Sequence, residues 1–270
     1  MAVKKSTKTQ ETIVKEIAYS RGTFCLLGTS PLIFNRFGPT QMRALLYPSG
    51  SSRKSKQLKH SPMFEYRDSF NTTDDFPADF CDQKESYVII PGAAIKSAMR
   101  EAALEQEALT KAGIGRLTRV LPEAIPVYGI PHVFCRMVRA SDSKKTPDVR
   151  TRAIMPKWAS IVTVEWAEPQ LSTSKVTTLL QTAGDVIGIG DWRAEKGKGN
   201  YGSFRVVSID NPDFQSLLKN CGAKQQLAAA DKPDFFDNHS ARLVRWFDEE
   251  VVDRGDSNKV KRWEVENAAQ

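Results

Sequence analysis

Arg193, Lys196 and Lys198 stand in a stretch that also holds Gly188, Gly190, Gly197, Gly199 and Gly202, with Trp192 and Tyr201 between the glycines. Five glycines within fifteen residues let a backbone take positive φ and come close to a ligand. Successive amide groups in such a loop form concavities that accept anions. The cations supply countercharge for phosphate, and the two rings offer surfaces on which a base can stack. The chemistry in view is the holding of a polymer that carries both phosphates and bases. The same glycines also suit a long hairpin or connection that needs them for turns. Trp192 equally suits a core anchor with charged neighbours.

Two further sets of cations have useful spacing. Lys96 and Arg100 are one helical turn apart and share a face, which fits either an anion contact or a solvated helix surface. Arg139 to Arg152 is polar and basic, with Lys144, Lys145, Arg150 and Arg152, and reads as a protruding hairpin or loop. Catalytic patterns are weak by comparison. His60, His132 and His239 have no evident partner that would make one of them a general base. No Gly-Lys-Ser/Thr ending follows the glycines, so nucleotide hydrolysis is excluded, and no Ser-His-Asp set is visible. Cys25, Cys81, Cys135 and Cys221 stand far apart without a Cys-x-x-Cys pair, the pattern of separate thiols in a reducing compartment. No catalytic residue, metal site or cofactor is assigned.

The chain has 270 residues, a 40% hydrophobic share and a net charge of +7 from 39 cations and 32 anions. That supports a real core, one domain with insertions at this length, and an acidic partner such as nucleic acid. No apolar run is long enough to span a bilayer. Met1 to Lys15 lacks the hydrophobic region of a secretory signal, so a cytoplasmic setting without membrane contact is expected.

The elements that must position these residues follow in order. Thr23 to Gly28 reads as a buried strand continued by Ser30 to Phe37, and Ser86 to Ile90 as the next strand. The intervening insertion, about 38–85, is divided in charge: Arg53, Lys54, Lys56 and Lys59 fall in its first part, and Asp74, Asp75, Asp79, Asp82 and Glu85 in its second. The basic part is expected to be mobile until a polyanion binds. Pro91-Gly92 opens a helix with Ile95, Ala98, Met99, Ala102 and Leu109 as its apolar stripe, ended by Gly113 and Gly115. Ile125 to Val138 reads as a strand broken by Pro126 and Pro131. Ala159 to Ala167 alternates, with Val162, Val164 and Trp166 on one side and Ser160, Thr163 and Glu165 off it. Ser172 caps a helix that buries Val176, Leu179, Leu180 and Ala183. Phe204 to Ile209 is the last core strand. The order strand, helix, strand, strand, helix, strand is that of an α+β, ferredoxin-like (RRM-like, βαββαβ) core. Residues 1–210 are expected to form that core, with a protruding hairpin at about 139–156, and 211–270 a C-terminal appendage. In the appendage, Pro212 to Asn220 and Asn238 to Val251 read as helices, Ala228 to Asp234 as a linker, and Lys259 to Val265 as a possible closing strand.

A core strand followed by Ser30-Pro31-Leu32, then Ile90-Pro91-Gly92-Ala93-Ala94-Ile95-Lys96-Ser97-Ala98-Met99-Arg100, resembles the signature of the RAMP superfamily of CRISPR-associated proteins. The glycine-rich stretch, placed between the last helix and last strand, resembles that superfamily's second hallmark. The resemblance covers about 22–209 and is closest to the Cas-seven-type backbone subunit. It implies a guide-RNA-binding protein that oligomerises along the RNA in an antiviral effector complex, meets other subunits, and presents the guide to target DNA or RNA. It further implies that Lys96 and Arg100 contact the RNA backbone and that Arg139 to Arg152 form the thumb. Asn35, Arg36 and the glycine-rich loop would line the RNA path. Contacts of this kind supply affinity without sequence demand.

Two other readings fit the residues. A solitary or phage-encoded relative would act as an inhibitor or interaction protein of such a complex, a reading motivated by the unmatched appendage and insertion. A metal-dependent RNA-cleaving subunit would use an aspartate from the loop after the first strand, where Asp68, Asp74, Asp75, Asp79 and Asp82 are available. Met155 reads either as a wedge between bases or as a strand residue.

Overall fold

The computed structural model describes residues 17–36, 38, 61–75, 86–106, 109–139, 147–196 and 199–255. Strand β1 (Ala18–Gly28) is followed by the two-residue strand β2 (Leu32–Ile33). Helix α1 (Pro62–Asp68) and strand β3 (Asn71–Thr72) come next. Strand β4 (Val88–Pro91) runs directly into helix α2 (Gly92–Ala102), with Pro91 still extended at the junction. Helix α3 (Lys111–Leu117) is capped by Thr110, whose hydroxyl accepts the Gly113 amide at 3.0 Å. Five strands then follow: β5 (Thr118–Leu121), β6 (Ala124–Gly129), β7 (His132–Arg139), β8 (Pro147–Met155) and β9 (Trp158–Glu168). Helix α4 (Thr173–Thr182) takes its cap from Ser172 and widens over Ala183–Ile187 before stopping at Gly188, where φ is +74°. Strand β10 (Phe204–Val207) and helices α5 (Pro212–Asn220), α6 (Ala223–Asp231) and α7 (Asn238–Asp253) complete the set.

Strands β10, β1, β9 and β5 are antiparallel neighbours in that order. With α2 leading into β5 and α4 leading into β10, this is the ferredoxin-like arrangement, and the chain is α+β. β9 pairs with β1 along one edge and is long enough to serve two partners along the other. Its second half, from Thr163 to Trp166, pairs with β5, and its first residues, Trp158 to Ser160, pair with β6. The sheet continues from β6 through β4 to β3. A separate three-stranded sheet, β2-β8-β7, carries the hairpin.

Alternation along the strands decides which side chains meet the helices. Phe24 and Leu26 of β1 and Val162, Val164 and Trp166 of β9 are buried with Ile95 and Met99 of α2 and Val176 and Leu180 of α4. Burying each such side chain stabilises the fold by roughly 1.5–3 kcal/mol. The opposite face carries Cys25, Leu27 and Ala159, covered by Phe214 of α5. The buried Trp158 ring stands edge-on to Phe204 at 6.1 Å and donates to the Ser30 carbonyl at 2.9 Å. Gly28 makes room for that ring, since a Cβ there would lie 2.3 Å from Trp158 Nε1.

The C-terminal helices are tied to the sheet by buried polar groups. Gln226 of α6 accepts the Tyr87 and Val88 amides at 2.8 and 2.9 Å and donates to the carbonyls of Val127, Gly129 and Cys221. Every polar atom of this fully buried amide is thereby satisfied. The Tyr66 hydroxyl reaches the carbonyls of Pro131 and Ala229 at 3.2 and 3.1 Å, joining α1 to α6.

Several expected elements differ. The α2 helix ends at Ala102, so Leu109 packs on the core from outside it, and Gly113 and Gly115 lie inside α3. The core's second strand is Thr118–Leu121, and the Ile125 to Val138 run divides between the two sheets. Ser160 shares the buried face of β9 and donates to the Pro126 carbonyl at 2.8 Å, because a strand's side-chain period of two puts it with Val162. Ala228 to Asp231 is helix, fixed by the buried Gln226 and Ala229. Met155 is fully buried and is no wedge. The basic part of the insertion, Cys81 and the possible closing strand at Lys259 to Val265 lie outside the described residues. Among the described residues, no helix is long and apolar enough to cross a membrane.

Candidate nucleic-acid interface

Among the described residues, cations line two cavities, one on the helical layer and one on the small sheet. The first is built by α2 and α3. The apolar stripe of α2 faces the sheet, so Lys96 and Arg100 point outward one turn apart, half-buried and exposed respectively. Arg116 of α3 joins them, with Ala112 and Gly115 between, around an open notch of about 480 Å³. A Lys111–Glu101 ion pair holds the two helices together beside it. Among the described residues, none of the three notch cations has a carboxylate partner. Arg116 was not among the expected site residues.

The second place is a cleft of about 270 Å³ on the β7–β8 hairpin and its neighbours. Antiparallel register sets Phe134 opposite Arg152 and Arg136 opposite Arg150, so all four share one face. Like charges directly opposite each other repel, and each arginine here is held by an acid. The Arg136 guanidinium lies 4.1 Å from the Phe134 ring centre, donates to Ser240 Oγ at 2.8 Å, and pairs with Asp237. Burial raises the Asp237 carboxyl, but bonds from Arg136 and Ser240 and the Arg136 charge outweigh that and hold it at about 2. Arg150 is bonded to Asp148 at 3.1 Å, and Arg152 is paired with Asp191. Arg152 is only 16% exposed, and burial with the neighbouring Arg150 charge lowers its pKa to about 10. Arg139 and Asn35 are exposed at the rim, and Ile33, Trp192 and Val138 complete the lining.

The glycine-rich stretch is packed into the fold. Its amides are turned to protein carbonyls: Gly188 to Ala183, Ile189 to Gly202, Asp191 to Ile33, Tyr201 to Trp192 and Gly202 to Pro31. Those amides are consequently not offered to an anion, unlike the concavity expected from composition. A Cβ at Gly202 would meet the Ile189 oxygen at 1.7 Å, and one at Gly199 the Trp192 oxygen at 1.8 Å. Gly199 and Gly202 therefore serve close backbone approach. Trp192 and Tyr201 both stand against Phe134, at 5.6 and 6.0 Å, in a cluster with Ile33, Ile154 and Phe236. Both rings remain half-buried, and Trp192 alone reaches the cleft. Arg193 is bonded to Glu195 at 2.6 Å and to the Gly190 carbonyl at 3.1 Å.

Arg36 is bonded to Asp75 at 2.6 Å and stands apart from the notch cations. Lys144, Lys145, Gly197, Lys198 and the side chain of Lys196 lie outside the described residues, as do Asp79 and Asp82. Of the loop aspartates, Asp75 also accepts the Thr72 amide and hydroxyl at 2.7 and 3.0 Å, a structural use. Asp68 is pushed up to about 6 by burial, against the pull of Arg36 and with Asp75 and Glu65 adding to the rise. Among the described residues, no group of acidic, histidine or cysteine side chains could hold a metal ion.

No protein-family model matches the chain, and no curated protein matches its sequence. Among solved structures, a chain of type III-B Cmr-beta bound to cognate target RNA is similar over 70% of this chain and 59% of its own length, with a TM-score of 0.36 and 12% identity. Cmr6 from Pyrococcus furiosus is similar over 70% of this chain and 98% of its own, at the same TM-score and identity. The chain therefore spans 59% of the length of the first of these.

Proposed function

We propose that this protein is a guide-RNA-binding subunit of the RAMP type, working in the cytoplasm as part of a CRISPR effector complex. In this reading several copies lie along one guide and hold it for pairing with a target nucleic acid, beside other subunits. The observation that carries it is the placement of Lys96 and Arg100. They lie on the helix opened by Pro91-Gly92 in a ferredoxin-like core, facing an open notch with no carboxylate partner among the described residues. Unneutralised cations on a rigid helix suit phosphate contacts made without regard to base identity. The hairpin cleft adds guanidinium groups beside aromatic rings, which suits a strand whose bases are unstacked.

The test is purification of the tagged full chain from cells that express a CRISPR array, followed by sequencing of bound RNA and measurement of stoichiometry. Repeat-derived RNA carrying several protein copies is the expected result. A one-to-one protein complex without RNA would instead identify an interaction protein or inhibitor. Intact complementary RNA after incubation of the assembly with magnesium would set aside a cleaving subunit.

A further inference from the structure

We infer that the notch between α2 and α3 is a three-cation phosphate site, with Arg116 as its third ligand and Gly115 as the clearance that lets Arg100 reach it. This rests on the RNA-binding reading above and extends it to residues outside the Pro-Gly helix segment. Like charges at i and i+4 destabilise a helix, and Lys96 and Arg100 are such a pair. Arg116 adds a third positive charge at the same notch, and among the described residues none of the three is in an ion pair; the nearby Glu101 is paired with Lys111. Such a concentration is relieved when an anion binds.

The geometry of α3 supports the assignment. Thr110 caps the helix and Thr118 Oγ1 donates back to the Ile114 carbonyl at 2.7 Å, so a seven-residue helix with two glycines is held at both ends. Glycine weakens a helix relative to alanine, and Gly115 has no positive φ to require it. It does have Arg100 lying across it: a Cβ there would stand 3.3 Å from Arg100 Nε and 3.4 Å from Cδ, so the exposed arginine would have to shift by a few tenths of an ångström. Arg116 Nε donates to the Ala112 carbonyl at 3.3 Å, which turns its guanidinium back along the helix toward the notch. The walls are cationic and the floor is Ala112 and Gly115. Two arginine forks and a lysine point charge match the oxygens of one phosphodiester. A floor without ring or amide groups reads no base. The ligand is the backbone of single-stranded RNA.

The test is anisotropy titration of a labelled mixed-sequence single-stranded RNA with the full chain across a salt series, each variant being checked by thermal denaturation. Arg116→Ala should weaken binding about tenfold at low salt and lower the log-affinity against log-salt slope by about 0.7, the value for one phosphate contact on a single strand. Arg116→Lys should recover most of both. Gly115→Ala should weaken RNA binding while raising the melting temperature, a divergence that loss of structure cannot produce. If Arg116→Ala and Gly115→Ala bind as wild type while Lys96→Glu with Arg100→Glu loses binding, the three-cation site is wrong and the RNA-binding reading stands. If all these variants bind as wild type, both fall.

Discussion

On the hairpin cleft, Arg136 is held by Asp237, Arg150 by Asp148 and Arg152 by Asp191, whereas on the helical notch Lys96, Arg100 and Arg116 have no carboxylate partner among the described residues. The two surfaces carry the same kind of charge and use it differently. In the cleft, the Arg136–Asp237 pair fixes the hairpin against α7 and the Arg152–Asp191 pair fixes it against the glycine-rich loop, so removing either arginine strands a partly buried acid. In the notch, the cations cost the fold a little repulsion and hold nothing together. Charge in the first is structural before it is functional; charge in the second has only a ligand to answer to.

Substitutions in the two places should separate stability from binding. The largest loss is expected where the glycine-rich loop docks on β2 behind the cleft. Gly202→Ala must keep φ at +74° and place a Cβ on the Ile189 oxygen, at a cost of about 3 kcal/mol or more. Urea denaturation would read this as a lower midpoint. Next is Arg136→Ala, which removes the bonds to Asp237 and Ser240 and should cost about 2 kcal/mol. Its effect on RNA binding would follow the loosened hairpin. If Arg136→Ala leaves the unfolding midpoint unchanged, the cleft's pairs are not structural and the contrast with the notch fails.

A smaller effect should come from Asp68, a carboxyl with too little countercharge for its burial. Its folded pKa of about 6 lies above the usual carboxylate value, so its contribution to stability is fully present below pH about 4 and lost as pH rises through about 6. Asp68→Asn should remove that dependence and raise the melting temperature at neutral pH. Equal melting curves for the two proteins at acid and neutral pH would contradict the assignment.

The sequence made the helix layer of the site plain and left the hairpin's pairs hidden. Local chemistry marks Lys96 and Arg100: Pro91-Gly92 starts the helix, and 3.6-residue spacing puts both cations opposite the apolar stripe. Ser172 as a helix cap was equally readable. Thr118–Leu121 escaped notice because four residues between Gly115 and Pro122 show too little alternation, and only pairing with the far half of β9 makes them a strand. Arg116 was missed with it, since Gly113 and Gly115 looked like a helix stop when Thr110 in fact begins a new helix. Arg136 was hidden for another reason. Its partner Asp237 is 101 residues away, and no spacing rule connects a strand arginine to a distant helix cap. The glycine-rich stretch was conspicuous by composition, yet composition could not tell amides facing an anion from amides facing Pro31 and Ile33.

If the notch cations meet RNA phosphates, the salt dependence of RNA affinity must report it. The measurement compares wild type with Lys96→Glu/Arg100→Glu, both confirmed to melt alike. Weaker binding at every salt concentration is expected of the double variant, with a log-log slope shallower by about 0.7 for the one single-strand phosphate the notch holds. Superimposed lines for the two proteins would contradict it.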